Sequence, residues 1–216
     1  SLFENNKQIL DLLIDILGTS GALSEYLVKN TDVLDSVIAS EFWKIWPGRK
    51  FLSSELEVML KSEMDYEAKL DLTRRWCKEW QFRIGVHYLR SQISAISAGS
   101  QYAELAEITL NIIWKEVQSE FAKKFGPEPG NGGVVISMGS LGSGVLHANS
   151  DLDLIIIYDA DGNEQSEGDR SLSARQYYSR LTKAFITAIS APMSEGRLYE
   201  IDMRLRPSGF QGPVAT

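Results

Sequence analysis

Between Gly133 and Asp159 the chain changes structural type so abruptly that few folds can accept it. An apolar run, Gly133 to Met138, reads as a strand and is stopped by Gly139-Ser140. A short polar segment follows, and Asp151-Leu152-Asp153 then heads a second apolar run, Leu154 to Tyr158. Alternate side chains of a strand share a face, so Asp151 and Asp153 point the same way with Cα atoms roughly 6–7 Å apart. Ile155, Ile156 and Ile157 make both faces of the second strand apolar, as expected of a sheet interior.

A later segment repeats the pattern. In Arg197 to Arg206, Tyr199, Ile201, Met203 and Leu205 fall on one face, and Glu200, Asp202, Arg204 and Arg206 on the other. Such alternation predicts a half-buried strand whose polar face lines water or a cleft. Paired beside the first, this strand would add Asp202 to Asp151 and Asp153. Three ionised carboxylates so close repel one another unless a cation neutralises them. All-oxygen ligation beside a phosphate-bearing substrate suits Mg²⁺. Ions held there could grip both the attacking and the leaving oxygen of an in-line phosphoryl displacement.

The Gly139-Ser140 turn supplies the complementary half. Backbone amides where a strand gives way to a helical turn form an anion site, and Ser140 adds a hydroxyl donor. No lysine follows, so this is not the phosphate loop of P-loop enzymes. Arg204 and Arg206, on the polar face, suit phosphate oxygens. They equally suit ion pairs with Glu200 or neighbouring acids. His147 stands alone, without the second histidine or cysteine a zinc site needs, and His87 reads as a packing residue. A Gly-Ser turn, Asp-x-Asp and a later strand carboxylate, in that order, resemble the DNA polymerase beta-like nucleotidyltransferases.

Composition narrows the partners. A chain of 216 residues, 44% hydrophobic, supports one large or two small domains. Its net charge of -7 and pI near 5.0, with no basic run, argue against a nucleic-acid substrate. Cys77 is the only cysteine, which excludes an internal disulfide and suits a reducing, cytoplasmic setting. No apolar run approaches the ~20 residues of a membrane span.

The amino-terminal part reads as helix after helix. Ile9 to Leu17 make an apolar stripe stopped by Gly18, Ser20 caps a short helix, and Thr31 another through Ile38. Ser54 with Glu57 predicts a capping box opening the next helix. Helical character then runs from Asp65 to about Ser97, and a further helix spans Tyr102 to Phe125. The helical spacing of Trp76, Trp80 and Trp114 makes them core residues rather than stacking platforms. Pro127 to Gly133 reads as a linker, Asp159 to Asp169 as a solvated loop, and Ser173 as the start of a helix crossing the sheet.

A closer resemblance rests on Asn149-Ser-Asp-Leu-Asp-Leu-Ile155, Leu198-Tyr-Glu-Ile-Asp-Met-Arg-Leu-Arg-Pro-Ser-Gly209 and Gly212-Pro-Val. With Leu2-Phe3, Asp32-Val-Leu-Asp35 and Phe82-Arg-Ile-Gly85 in the helical run, these resemble the bifunctional glutamine synthetase adenylyltransferase family along nearly the whole chain. The resemblance implies an α+β fold: a helical domain over residues 1–126, then a polymerase beta-like nucleotidyltransferase sheet with helices over 133–216. The domain is expected to be truncated, because the family continues into further helices. It implies transfer of AMP from ATP to a tyrosine of glutamine synthetase, in nitrogen assimilation, with Mg²⁺ as cofactor. Asp151, Asp153 and Asp202 match the metal-binding and catalytic carboxylates, and Gly139-Ser140 the phosphate turn. Gly-Ser replaces a Gly-Lys frequent in relatives, so a lysine contact is not expected. A nitrogen-regulatory signalling protein is a further implied partner. The quoted motifs are more similar to the transferase half of the family than to the half that removes AMP by phosphorolysis. A non-catalytic docking module on the same scaffold is the more distant alternative.

Overall fold

The computed structural model describes residues 7–31, 33–161 and 163–203. It is an α+β structure. Helices α1 (Lys7–Thr19), α2 (Gly21–Lys29) and α3 (Val33–Ile38) lead through a 3-10 turn, Ser40–Trp43, to α4 (Arg49–Lys61), α5 (Tyr66–Leu89) and α6 (Ala95–Phe125). Strand β1 (Gly132–Ser137), the one-turn helix α7 (Gly139–Gly142), β2 (Leu152–Asp159), α8 (Ala174–Ser190) and β3 (Ile201–Asp202) complete it.

Capping and backbone chemistry explain where the helices start and stop. The Ser20 side chain accepts from the Leu23 amide and opens α2, and Asp65 accepts from Ala68 and opens α5. Gly126, at φ 82, ends α6 in a conformation that a Cβ would penalise. Two expectations fail here. The helix expected from Asp65 to Ser97 breaks at Arg90–Ser94, where Ser91 takes φ 56 and Ser94 caps α6 through the Ser97 amide. The break therefore puts Gly99 inside a helix expected to begin only near Tyr102. Ser54 and Glu57 form no capping box, because α4 already starts at Arg49, behind Gly48 at φ 80. In both cases the helix starts earlier in the chain than the sequence reading placed it, at the Ser94 side-chain cap for α6 and at Gly48, without a side-chain cap bond, for α4.

Antiparallel β1 and β2 pair from Gly132 opposite Asp159 to Ser137 opposite Leu154, and β2 pairs parallel to β3. The connection from β2 to β3 runs through α8, as expected of a helix crossing the sheet. One face of the sheet is sealed. Leu152, Leu154 and Ile156 are buried, and α8 lays Tyr177, Tyr178, Leu181, Phe185 and Ile189 in the same core. Tyr158 stacks on Tyr178 with centroids 4.3 Å apart, and Trp114 of α6 meets Phe185 edge-on at 5.0 Å. The other face is not the sheet interior that the three isoleucines suggested: Val134 is 58% and Ile157 42% exposed. The sequence shows that both faces of β2 are apolar but not how many layers cover them.

Among the described residues one cluster of buried apolar side chains extends from Leu52 in α4 to Met203 beyond β3. The segment between α6 and β1 is anchored to α8, with the Tyr177 hydroxyl donating to Gly126 O and the Tyr178 hydroxyl to Pro129 O. Trp76 and Trp114 are buried and Trp80 packs half-buried beside them, so the core reading of the tryptophans holds. Trp76 and Trp80 both donate their indole N–H to Glu55, at 2.7 and 3.1 Å.

A second cluster joins α1, α2, α3 and the 3-10 turn to the end of α5 through Leu12, Ile16, Leu27, Phe42, Phe82 and Val86. His87 closes it, as the packing residue expected. Its ring stacks on Trp43 at 5.5 Å, and Nε2–H donates to Phe42 O at 2.8 Å. Burial holds its pKa below the usual 6.5, against the opposing pull of that hydrogen bond. Because the folded state resists protonation more than the unfolded chain, the His87 contribution is complete above about pH 6.5 and is lost as pH falls through the folded pKa. Urea midpoints of the parent and of His87→Gln should therefore differ most near neutral pH and converge on acidification. A gap that widened towards pH 5 would contradict this assignment.

Candidate active site

The site begins where β1 ends. Met138 donates its amide to Asp153 O at 2.8 Å, so the chain leaves β1 still tied to β2. Gly139 then turns at φ 54, into the left-handed region that glycine enters without steric cost. Its Cα faces the Asp153 carboxylate so closely that an added Cβ would lie 2.1 Å from Oδ2. The turn of α7 is closed by Gly142 N–H to Met138 O at 2.8 Å and Ser143 N–H to Gly139 O at 3.1 Å. Gly142 has its own constraint, since a Cβ there would meet Ser137 O at 2.7 Å. Leu141 anchors the turn in the core, while Gly139 and Ser140 are exposed. The first-turn amides of any helix have no carbonyl of their own helix to bond, which leaves them for a ligand.

The segment between α7 and β2 is fastened from below. Leu146 is buried and donates its amide to Gly99 O at 3.0 Å. An added Cβ at Gly99 would meet Val145 Cγ1 at 2.8 Å, so the amino-terminal part of α6 lies against this loop. His147 and Ser150 close a short turn, Ser150 N–H donating to His147 O and His147 N–H to Ser150 Oγ, both at 3.1 Å. His147 itself is exposed.

Asp151 is exposed one residue before β2, and Asp153 is half-buried within it. The strand starts at Leu152 rather than at Leu154 as the sequence suggested, since Leu152 donates to Glu200 O at 2.9 Å across to the β3 side. In the β2–β3 register Asp153 stands opposite Asp202. Neighbouring strands lie about 4.8 Å apart, so these two carboxylates occupy adjacent positions on one face. Tyr199 and Met203 are buried on the opposite face, as the alternation requires. Of the strand expected from Arg197 to Arg206, only Ile201–Asp202 forms ladder pairs in the described part. Arg197 instead pairs with Glu200. Arg204 and Arg206 lie outside the described residues.

The donor chemistry suits Mg²⁺: the acids are carboxylates, and they stand at one end of neighbouring strands, beside a glycine whose missing Cβ leaves room at the Asp153 oxygen. As their side chains stand, no set of three or more acidic, histidine or cysteine residues among the described residues is drawn together closely enough to hold an ion. The backbone thus brings Gly139, Asp153 and Asp202 together and sets Asp151 at the rim.

What the sequence did not reveal is the apparatus behind β3. Arg74, Lys78 and Cys77 of α5 contact residues 188–199, more than 110 positions further along the chain. No local pattern encodes such pairs. The buried Cys77 thiol is pushed up to about 11 by burial, so it is neutral near pH 7 and packs rather than reacts.

A sheet with carboxylates on neighbouring strands and a glycine turn at their head defines an α+β protein with a candidate nucleotide-handling site. Residues 10–216 match the Glutamate-ammonia ligase adenylyltransferase family, so the chain belongs to that family of nucleotidyltransferases. It is 39% identical over its full length to a "Bifunctional glutamine synthetase adenylyltransferase/adenylyl-removing enzyme" of Brucella suis and to one of Mesorhizobium japonicum. A similarly named protein of Rhodopseudomonas palustris is 37% identical. The chain spans 22% of the length of these relatives. No helix among the described residues is long and apolar enough to cross a membrane.

Proposed function

We propose that this region is an adenylylation centre on the polymerase beta-like nucleotidyltransferase scaffold, transferring AMP from ATP to a tyrosine of glutamine synthetase. The observation that carries the reading is the pairing of Asp153 with Asp202 across neighbouring strands, with Gly139 against the Asp153 carboxylate. The relatives' names support the reaction class.

In this reading the exposed amides of Gly139 and Ser140, with the Ser140 hydroxyl, hold phosphate oxygens of ATP. Asp151, Asp153 and Asp202 would hold Mg²⁺, which when bound supplies positive charge to offset that of the triphosphate. Asp202 also faces the incoming hydroxyl and accepts its proton. The tyrosine oxygen forms a bond to the α-phosphorus while the bond to the bridging α–β oxygen breaks, and pyrophosphate departs. Arg204 and Arg206, a little later in the sequence, are proposed phosphate partners. Alignment of the reactants and stabilisation of phosphate charge carry most of the rate, as in phosphoryl transfer generally. A cytoplasmic setting and a nitrogen-regulatory protein partner belong to the same proposal, as does a division into a helical domain over 1–126 and a catalytic domain from 133.

The test uses the whole protein with unmodified and with adenylylated glutamine synthetase. Label moving from α-³²P-ATP to the unmodified acceptor, lost in Asp202→Asn, is the expected result. Phosphate-dependent release of ADP from the adenylylated acceptor, lost in the same variant, would assign this region to the removing reaction. If Asp202→Asn altered neither reaction, the region would be a docking module rather than a catalytic centre.

A further inference from the structure

Strand β3 has only two described ladder residues, Ile201 and Asp202, so its hydrogen bonds to β2 are few. The approach to it is held much more firmly, and from one place. On α5, Asp71, Arg74, Arg75 and Lys78 follow the spacing of a single helix face. All four reach the segment between the end of α8 and β3. Asp71 accepts from the Ser194 hydroxyl, Arg75 pairs with Glu195 at 3.1 Å, and Lys78 donates to Glu195 O. Cys77 Sγ lies 3.3 Å from the Tyr199 hydroxyl, three residues before Asp202.

Arg74 is the centre of this grip. It is fully buried, and each bond recorded for its guanidinium is to a backbone carbonyl. Nη1 donates to Leu70 O at 3.0 Å on its own helix, and Nε to Gly196 O at 3.1 Å in the turn before β3. Nη2 donates to Ala188 O and Ala191 O at the end of α8. A planar, always-charged fork fixes the relative positions of three stretches of backbone, which neither a flexible ammonium nor an apolar side chain does. Burying such a charge is costly, and removing it would leave these carbonyls without their donor, a desolvation penalty for each one that stays buried. The guanidinium therefore both holds the three stretches together and fixes where they lie.

We propose that Arg74 is a positioning residue for the third carboxylate: with its neighbours on α5 it sets the Ala188–Tyr199 segment so that β3 presents Asp202 beside Asp153. This inference rests on the adenylylation reading above. Asp202 is the group displaced if the grip fails, because β3 follows the gripped segment directly, and Leu198 N–H bonds Ile189 O at 3.2 Å within it.

The experiment takes Arg74→Met, Arg74→Lys and Asp202→Asn in the whole protein and measures two quantities. One is Mn²⁺ affinity by electron paramagnetic resonance, and the other is the kinetics of AMP transfer. Both Arg74 variants are expected to weaken Mn²⁺ binding and lower kcat at least tenfold. The KM for ATP should stay within threefold, and cooperative thermal unfolding should be retained. Parent-like affinity and kcat in Arg74→Met, with Asp202→Asn inactive, overturns the positioning role while leaving the site reading intact. A loss matching only the unfolded fraction overturns it as well. An unaffected Asp202→Asn overturns both, since a carboxylate without a function needs no placing. If Arg74→Met does not fold, Tyr199→Phe removes the hydroxyl at Cys77 and should lower Mn²⁺ affinity and kcat at least threefold. No change there refutes the grip.

Discussion

Asp153→Asn in the whole protein is expected to lower AMP transfer by roughly 10²–10³-fold, the scale seen when one preorganised charge-stabilising group is lost. It should also abolish Mg·ATP binding measurable by isothermal calorimetry. Stability should hardly fall and can rise. Asp153 stands opposite Asp202 in the parallel pair, and removing one of two like charges at adjacent strand positions relieves repulsion. A loss of activity accompanied by a large drop in melting temperature would show instead that Asp153 serves the fold. Unchanged Mg·ATP affinity would remove it from the site.

The second large effect is expected at Gly139, from a change of one methyl group. Gly139→Ala must place a side chain at φ 54, which costs an L-residue about 1–2 kcal/mol, and its Cβ would stand 2.1 Å from Asp153 Oδ2. The carboxylate is the softer partner and gives way, so the metal and the phosphates lose a correctly aimed ligand together. Activity should fall by roughly 10²-fold, the order expected of an ångström-scale misplacement. Gly144→Ala is the matched control. Its φ of 75 imposes a similar backbone strain, but nothing lies within 4 Å of the added Cβ. That variant should lose comparable stability and keep Mg·ATP binding. Equal losses of binding in both would mean that strain alone, not the approach to Asp153, accounts for the Gly139 effect.

The candidate site residues could be picked out in the sequence for a local reason. A strand repeats every two residues, so Asp151 and Asp153 share a side before any tertiary contact is known, and Glu200 and Asp202 likewise. The Gly-Ser turn was legible because few residues other than glycine leave a strand at positive φ. Helix boundaries were read less well. Ser94 and Gly48 stand where α6 and α4 begin, whereas the sequence reading placed those starts near Tyr102 and at Ser54. Capping chemistry depends on which competing turn forms first in space, and several serines in a row supply several candidates.

The sequence by itself determined the order of elements, the polarity of each strand face and the family to which the quoted motifs point. Those features depend on spacing within a few residues, where backbone geometry leaves little choice. Only the tertiary structure decided that Asp202 stands opposite Asp153 and that Gly139 faces the Asp153 carboxylate. It alone decided that one sheet face is partly exposed among the described residues, and that a buried arginine in α5 bonds the backbone leading to β3. These are pairings between residues far apart in the chain. They follow from how layers of side chains fill space together, which no single segment specifies.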